Sequence, residues 1–402
     1  MDARAFLDGL VAEEGAGESL LHVETLPPVD PRPEPFADLP PPLPDRLRNL
    51  GIEGLYPHQT RALRLLREGR NVIVATGTAS GKTLVYTLAF AREAIGDRRR
   101  TALLLFPTKA LARDQLRQLR ALRLPQIRAA VYDGDTPTGE RPLIRRTANV
   151  VLSNPDMLHA GILPGHARWA DFFLRLSLVV VDEAHVARGV FGSHVAMVLR
   201  RLRRLVAHYG GDPRFVLASA TIGNPEDLAE RLVGLRFEAI AEDHSPRGEK
   251  LFCLWNPPMI DPDAGDRRSA VAEAGSLLSR LVSEDVRAIG FTRSRRAAEL
   301  LAEIARRDLP PGVGDRIKAY RAGYLPEERR RLERALAEGE LLAVAATSAL
   351  ELGIDISSLD AAVLAGYPGT RASMWQQAGR AGARGPRWPS WWPRTTRWTS
   401  TW

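Results

Sequence analysis

Asn71-Val-Ile-Val-Ala75 runs straight into Thr76-Gly77-Thr78-Ala79-Ser80-Gly81-Lys82-Thr83 and on into Leu84-Val-Tyr-Thr-Leu-Ala-Phe-Ala91. This order of apolar strand, tight loop and apolar helix decides the fold. A phosphate chain is held by inward-pointing backbone N–H groups, by a cation, and by a hydroxyl that ligates Mg²⁺. Gly77 and Gly81 let the backbone approach, and Thr78, Ala79 and Ser80 complete the loop. Lys82 is placed to reach the β- and γ-phosphates and Thr83 to ligate the metal. Thr76 stands where G-x-x-x-x-G-K-[ST] has its first Gly. A glycine-rich turn that merely joins strand to helix is the plainer reading. Against it, the 56 basic residues include only four lysines, Lys82, Lys109, Lys250 and Lys318, and one of them sits here.

Working outward, short continuous apolar runs recur at helix-length intervals: ALLLF at 102–106, RAAVY at 128–132, NVVLS at 149–153, SLVVVD at 177–182 and RFVLAS at 214–219. Such runs are the pattern of buried parallel strands in a doubly wound sheet. The stretch AEDHSPRGEK at 241–250 is rich in charge, Gly and Pro and marks a boundary. A second series follows it, RAIGF at 287–291, RIKAY at 316–320, LLAVAA at 341–346 and AAVLAG at 361–366. The reading is α/β, with one lobe over 51–240 and another over 245–385. Residues 1–50 are Pro-rich and read as an extended arm. A helix is expected from Leu55, stopped by Gly69.

Composition narrows the class without fixing it. The chain has 402 residues, 45% hydrophobic and 26% charged, which is ordinary for a globular protein of two domains. No apolar run reaches the ~18 residues that cross a bilayer, and the acidic start MDARAFLDGLVAEE lacks the basic region of a signal peptide. Cys253 is the single cysteine, so neither an internal disulfide nor a cysteine-based zinc site is expected. A cytoplasmic protein without a membrane partner follows from these. The net charge of +8 points weakly to a polyanion. Arginine clusters such as Arg200–Arg204 read first as solvated helix faces in a chain whose basic residues are nearly all arginine.

SLVVVD leads into Asp182-Glu183-Ala184-His185. Acids at the C-terminal end of a buried parallel strand lie at the ligand-binding edge of the sheet. There Asp182 can hold Mg²⁺, largely through water, and Glu183 can orient and deprotonate an attacking water. A D-E pair after a strand is common surface chemistry by itself; its pairing with the loop above gives it meaning.

With these motifs in place the chain resembles the superfamily 2 helicases of the DEAH/DExH kind. Eight motifs occur in that family's order: the phosphate loop, Phe106-Pro107-Thr108-Lys109, Ser153-Asn154-Pro155-Asp156, DEAH, Ser219-Ala220-Thr221, Phe291-Thr292-Arg293-Ser294, the run from Ala346 to Ile356, and Gln376-Gln377-Ala378-Gly379-Arg380. TGTASGK, DEAHVARGVFGSH, SATIGNP, RAGYLPEERR and GYPGTRASMWQQAGRAG are similar to the MrfA-like bacterial DNA-repair branch and its RecQ4-like relatives.

The resemblance implies two RecA-like P-loop lobes, ATP and Mg²⁺ bound between them, and single-stranded DNA across their top. It implies 3′→5′ movement, with duplex DNA as substrate and RNA as the second choice. Gln59 would read the adenine edge with Tyr56 stacking beside it; a helix-start Gln and a core Tyr are the alternative reading. Thr108, Lys109, Asn154 and Pro155 would touch the strand backbone from the first lobe, and Thr292, Arg293, Gly323 and Thr347 from the second. Asn154 and Thr292 fit equally as helix caps. Ser219 and Thr221 would link hydrolysis to closure, and His185 would bridge towards the lobe interface. Gly353 and Asp355 would approach the ribose and metal side, Gln376 the attacking water, and Arg380 the transferring phosphoryl group.

Two departures stand out. The family's last motif, Q-Q-x-G-R-x-G-R, has its second arginine where this chain has Ala383, with Arg384 one place late. The branch's C-terminal Cys-rich metal-binding domain is absent from the sequence. Residues 386–402 carry five of the eight tryptophans and no strand pattern. One reading is an aromatic, basic strand-binding tail. The preferred reading is a frameshift: back-translated with GC-rich codons and shifted by one base, the tail becomes Leu-Ala-Val-Leu-Val-Ala followed by Asp-Asp-Pro-Leu-Asp, a buried strand and a turn. Besides an RNA-dependent ATPase, Ala383 admits a catalytically weak nucleic-acid clamp.

Overall fold

The protein is described by a computed structural model covering residues 2–12, 18–261, 263–320, 324, 326–351 and 359–382. The expectations placed on Gly323, Gly353, Asp355, Ala383 and the tail after it lie outside the described residues.

β1 (Leu20–Leu26) precedes the main series of the first lobe: β2 (Val72–Ala75), β3 (Thr101–Leu105), β4 (Ala129–Val131), β5 (Val150–Ser153), β6 (Leu176–Val181), β7 (Arg214–Ser219) and β8 (Glu238–Ile240). β2 to β8 form one sheet in the order β4-β5-β3-β6-β7-β2-β8, with every pairing parallel. A strand inside such a sheet is covered on both faces, which is why its sequence is apolar without alternation. Its side chains still alternate in direction. Ile73, Leu103, Leu105, Val179, Val181 and Leu217 join a core with Leu199 and Leu202 of the helix Gly189–His208. Leu104, Leu152, Val180 and Val216 join another with Tyr86 and Phe90 of the helix Lys82–Gly96.

The topology positions the site. β7 lies between β2 and β6, so Ser219 at its end has the phosphate loop on one side and the Asp182-Glu183 pair on the other.

The remaining strands are β9 (Lys250–Trp255), β10 (Met259–Asp261), β11 (Asp266–Arg267), β12 (Ala288–Phe291), β13 (Ile317–Tyr320), β14 (Ala343–Ala346) and β15 (Ala361–Leu364). The second lobe is built on a parallel sheet ordered β13-β14-β12-β15. The helices Ala270–Ser283 and Arg295–Arg307 cross close together above it. Gly275 makes that approach possible: a Cβ there would lie 2.7 Å from Ile304 Cγ2. Both lobes are thus RecA-like α/β units with parallel sheets. No helix among the described residues is long and apolar enough to cross a membrane.

The first fifty residues differ from the extended arm expected. They hold the helix Ala3–Ala12, strand β1 and the helix Leu43–Asn49. Residues Pro31–Ser245 form one compact unit, whereas those up to Asp30 belong with those from Pro246 onward. The reason lies in apolar side chains set among the prolines. Leu39, Leu43, Leu47, Ile52 and Leu55 are spaced to share a face and are buried against Leu84, Leu88 and Leu122 of the first lobe. Proline is compatible with a first helical turn, so Pro44 opens the helix Leu43–Asn49 rather than preventing it. β1 pairs antiparallel with β9 over Leu20–Trp255 to Leu26–Lys250, and Phe6 packs on the core of the second lobe.

This pairing covers one edge of β9. Deleting residues 2–26 is expected to speed amide exchange of residues 251–255 by ~10-fold or more while leaving 72–75 in β2 unchanged. Equal protection of 251–255 with and without the segment would show that β1 contributes nothing to the second lobe.

Candidate functional site

The phosphate loop closes through its own side chains. Thr76 and Ser80 are both fully buried, their hydroxyl oxygens 2.6 Å apart, and Ser80 Oγ donates to the Gly77 carbonyl at 2.9 Å. Thr76 therefore replaces the usual Gly without strain: its backbone is not left-handed, and its hydroxyl ties the start of the loop to its end. The left-handed positions fall later, at Ala79 (φ 61°) and Gly81 (φ 77°). Lys82 Nζ donates to the carbonyl of Thr76 at 2.9 Å and to that of Gly77. Burial lowers the Lys82 pKa, against the pull of Glu183, Asp182 and Asp243.

Gln59 sits beneath this loop, 2% exposed. Its Oε1 accepts from the Tyr56 N–H at 2.9 Å, and its Nε2 donates to the Gly81 carbonyl at 3.1 Å. The helix-start reading of Gln59 thus describes its contacts, with the addition that it fastens the helix Pro57–Arg67 to the loop. A Cβ on Gly81 would lie 2.3 Å from that Nε2 on a left-handed backbone, so any other residue would be strained and would push Gln59 away. Tyr56 stacks on His58 at 5.7 Å, and burial, then Asp243, push its phenol up to about 12.

Asp182 is buried at the end of β6. Its Oδ2 accepts from the Tyr86 hydroxyl at 3.0 Å and its Oδ1 from the Glu183 N–H at 2.9 Å. Tyr86 also lies 3.3 Å from Thr83 Oγ1 and from Gln115 Oε1, which connects the two expected metal ligands through one phenol. Burial, reinforced by the neighbouring Glu183 charge, pushes the Asp182 carboxyl up to about 7. The oxygen donors Thr83 and Asp182 suit a hard divalent cation, and Mg²⁺ commonly takes only one or two protein carboxylates beside phosphate and water. Among the described residues no group of three His, Cys, Asp or Glu side chains comes together as a metal cage.

Glu183 adopts a left-handed backbone (φ 51°), and its Oε2 lies 3.4 Å from His185 Nδ1. The Ala220 N–H donates to that same nitrogen at 3.2 Å. A backbone N–H can only donate, so this contact uses Nδ1 as an acceptor, whereas a bond to the Glu183 carboxylate would need a proton on it. His185 thereby joins DEAH to the Ser219-Ala220-Thr221 turn within the first lobe.

The residues expected to meet a strand have a mixed placement. Thr108 and Asn154 cap the helices Lys109–Ala121 and Pro155–Met157, accepting from the N–H of Leu111 (3.3 Å) and Met157 (2.7 Å). Lys109 is ion-paired with Asp135, which also bonds Arg113 at 2.8 Å, and these contacts hold the Asp135 carboxyl below the usual range. In the second lobe Ser294, not Thr292, caps the helix Arg295–Arg307. Buried Thr292 instead donates to the Ser294 carbonyl at 3.1 Å; Arg293 is exposed and Thr347 half-buried. Gln376 is buried in the helix Arg371–Ala378. Gln377 Nε2 donates to Glu351 Oε2 at 3.0 Å, and Arg380 donates to the Glu351 carbonyl.

Sequence reasoning missed Tyr86, Gln115, His58, Asp243 and Glu351. Tyr86 had a signal, since it follows Thr83 by three positions on one helix face. The others contact the loop or motif from distant segments.

Residues 56–228 match the model of the DEAD/DEAH box helicases and residues 273–385 that of the helicase conserved C-terminal domain. The ATP-dependent helicase YprA of Bacillus subtilis is 43% identical over 364 residues, covering 89% of this chain and 49% of that protein. The ATP-dependent helicase hrq1 of Schizosaccharomyces pombe is 44% identical over 346 residues, 83% of this chain and 32% of that protein. A crystal structure of the DUF1998 helicase MrfA bound to DNA superposes with a TM-score of 0.89 at 40% identity, covering 95% of this chain and 51% of that one. The chain belongs to the superfamily 2 DEAD/DEAH-box helicases, on the branch of MrfA and Hrq1. It spans about half, or less, of the length of these relatives.

The raised Asp182 carboxyl makes a prediction for the protein without metal or nucleotide. A carboxyl that keeps its proton on folding loses stability as pH rises from its unfolded value, 3.8, to about 7. Asp182→Asn should therefore gain stability relative to the parent as pH is raised from 4 to 8, read by urea unfolding. An equal effect at both pH values would contradict the burial argument.

Proposed function

We propose that this chain is the motor core of an ATP-dependent DNA helicase or translocase that moves 3′→5′ on single-stranded DNA and serves DNA repair. The observation that carries the reading is the convergence of Lys82, the phosphate loop, buried Asp182 and half-buried Glu183 at the end of one parallel sheet. MrfA, whose crystal structure is described as bound to DNA, supports DNA over RNA as the strand.

In this proposal Lys82 gives up its loop carbonyls for the β- and γ-phosphates, exchanging neutral acceptors for charged ones. Thr83 and Asp182 would hold Mg²⁺, which supplies charge neutralisation on the phosphates when bound. Glu183 orients the attacking water and takes its proton. His185 and Ser219 lie where a change at Glu183 would be felt at the end of β7. Gln59 and Tyr56 border the adenine. Thr108, Lys109, Asn154, Pro155, Thr292, Arg293 and Thr347 would meet the strand backbone through hydroxyls, amides and charge, contacts that carry no sequence choice. Gln376 and Arg380 would act on the phosphoryl group from the second lobe. The Ala383 substitution removes the charge that an arginine finger supplies, a contribution of ~10³–10⁵ in rate in other phosphoryl-transfer systems. Turnover by the chain as it stands is therefore expected to be slow, and a frame-restored chain to be faster.

Lys82→Ala should abolish ATP binding, measured by equilibrium titration, while Glu183→Gln should bind ATP with near-parental affinity and hydrolyse it ~100-fold or more slowly. Parental turnover by Glu183→Gln would remove Glu183 from the proposed role.

Single-stranded DNA should stimulate hydrolysis well beyond RNA, the stimulation should weaken with salt, and unwinding should need a 3′ overhang. Stronger stimulation by RNA, or unwinding only from 5′ overhangs, would overturn the choice of strand and direction.

A further inference from the structure

Asp243-His244-Ser245 are the last residues before the chain leaves the first compact unit, and they are tied to the phosphate loop at two points. Asp243 Oδ2 accepts from the Gly77 N–H at 2.9 Å. Its Oδ1 accepts from the Ser245 N–H at 2.9 Å and the Ser245 hydroxyl at 2.6 Å, so the same carboxylate stiffens the segment that carries it. The second tie runs through His58. The His244 N–H donates to His58 Nδ1 at 3.3 Å, and His58 Nε2 lies 2.9 Å from the Ser80 carbonyl. Since Nδ1 accepts, the proton of the neutral ring is on Nε2 and is donated to Ser80. The two imidazoles stack at 6.0 Å and 19°.

The two ties fall on residues 77 and 80, on either side of the left-handed Ala79. A carboxylate beside a triphosphate site is electrostatically unfavourable, so an aspartate there needs a compensating role. Accepting from three donors at once, which no neutral side chain does as well, is such a role. Gly77 fits the same account: a Cβ on it would lie 2.8 Å from Asp243 Oδ2, so a larger residue there would have to displace the carboxylate.

We propose that Asp243 and His58 are positioning residues, holding residues 77–80 in the conformation that accepts the nucleotide triphosphate. The proposal rests on the reading of this loop as the ATP site.

The test is the ATP dependence of hydrolysis by the full chain with single-stranded DNA. Asp243→Ala and His58→Ala should each raise KM for ATP about five- to tenfold with a smaller change in kcat. Because the two ties act through one segment, the double variant should be no worse than about the larger single effect. Asp243→Asn leaves one acceptor oxygen for the Gly77 and Ser245 donors and should raise KM about threefold, between the parent and Asp243→Ala. Gly77→Ala should raise KM in the parent but add nothing in an Asp243→Ala background, where the collision is gone. A purely structural loss would lower thermal stability without this suppression.

Parental KM in both single variants, multiplying effects in the double, or an undiminished cost of Gly77→Ala without Asp243 would each overturn the proposal. Should Asp243→Ala fail to fold, Asp243→Asn decides: a parental KM overturns it, and a raised KM with kcat little changed supports it. Lys82→Ala separates the two levels. Retained ATP binding in that variant removes the underlying reading, whereas lost binding beside parental strap variants removes this inference alone.

Discussion

The ammonium of Lys82, half-buried under the field of the Asp182 and Glu183 carboxyl groups and bonded to the carbonyls of its own loop, is the interaction around which the first lobe is built. A buried cation is costly unless it is paired and hydrogen-bonded. Asp182, Glu183 and Asp243 all favour its charged form, and the Thr76 and Gly77 carbonyls take its hydrogen bonds. The arrangement constrains the rest of the lobe. β6 must end beside the loop to deliver Asp182, β7 must lie between β6 and β2, and the helix Lys82–Gly96 must present Tyr86 to the Asp182 carboxylate.

Much of this was legible in the sequence because parallel strands declare themselves as apolar runs and phosphate loops as glycine with lysine. Six runs of the first half and four of the second correspond to strands β2 to β7 and β12 to β15, with ends differing by one or two residues. Thr108 and Asn154 were open between strand contact and helix cap. The cap hydrogen bonds are present.

The parts that were not legible share a cause: they depend on partners distant in sequence. β9 and β1 pair across more than two hundred residues, and β8, with only Glu238-Ala-Ile240, is too short to signal a strand. The Pro-rich start read as extended because prolines mask the spacing of Leu39, Leu43 and Leu47. Asp243 and His58 are invisible as loop residues for the same reason. One lies in a segment read as a boundary and the other beside a glutamine that drew the attention.

The central claim is that residues 76–83 and 182–185 form one nucleotide site. Amide exchange measured with and without a non-hydrolysable ATP analogue and Mg²⁺ tests it most directly. The account predicts strong added protection in 76–83 and 182–185, absent when Lys82 is replaced by alanine. Protection confined to other segments, or none at all, would contradict it.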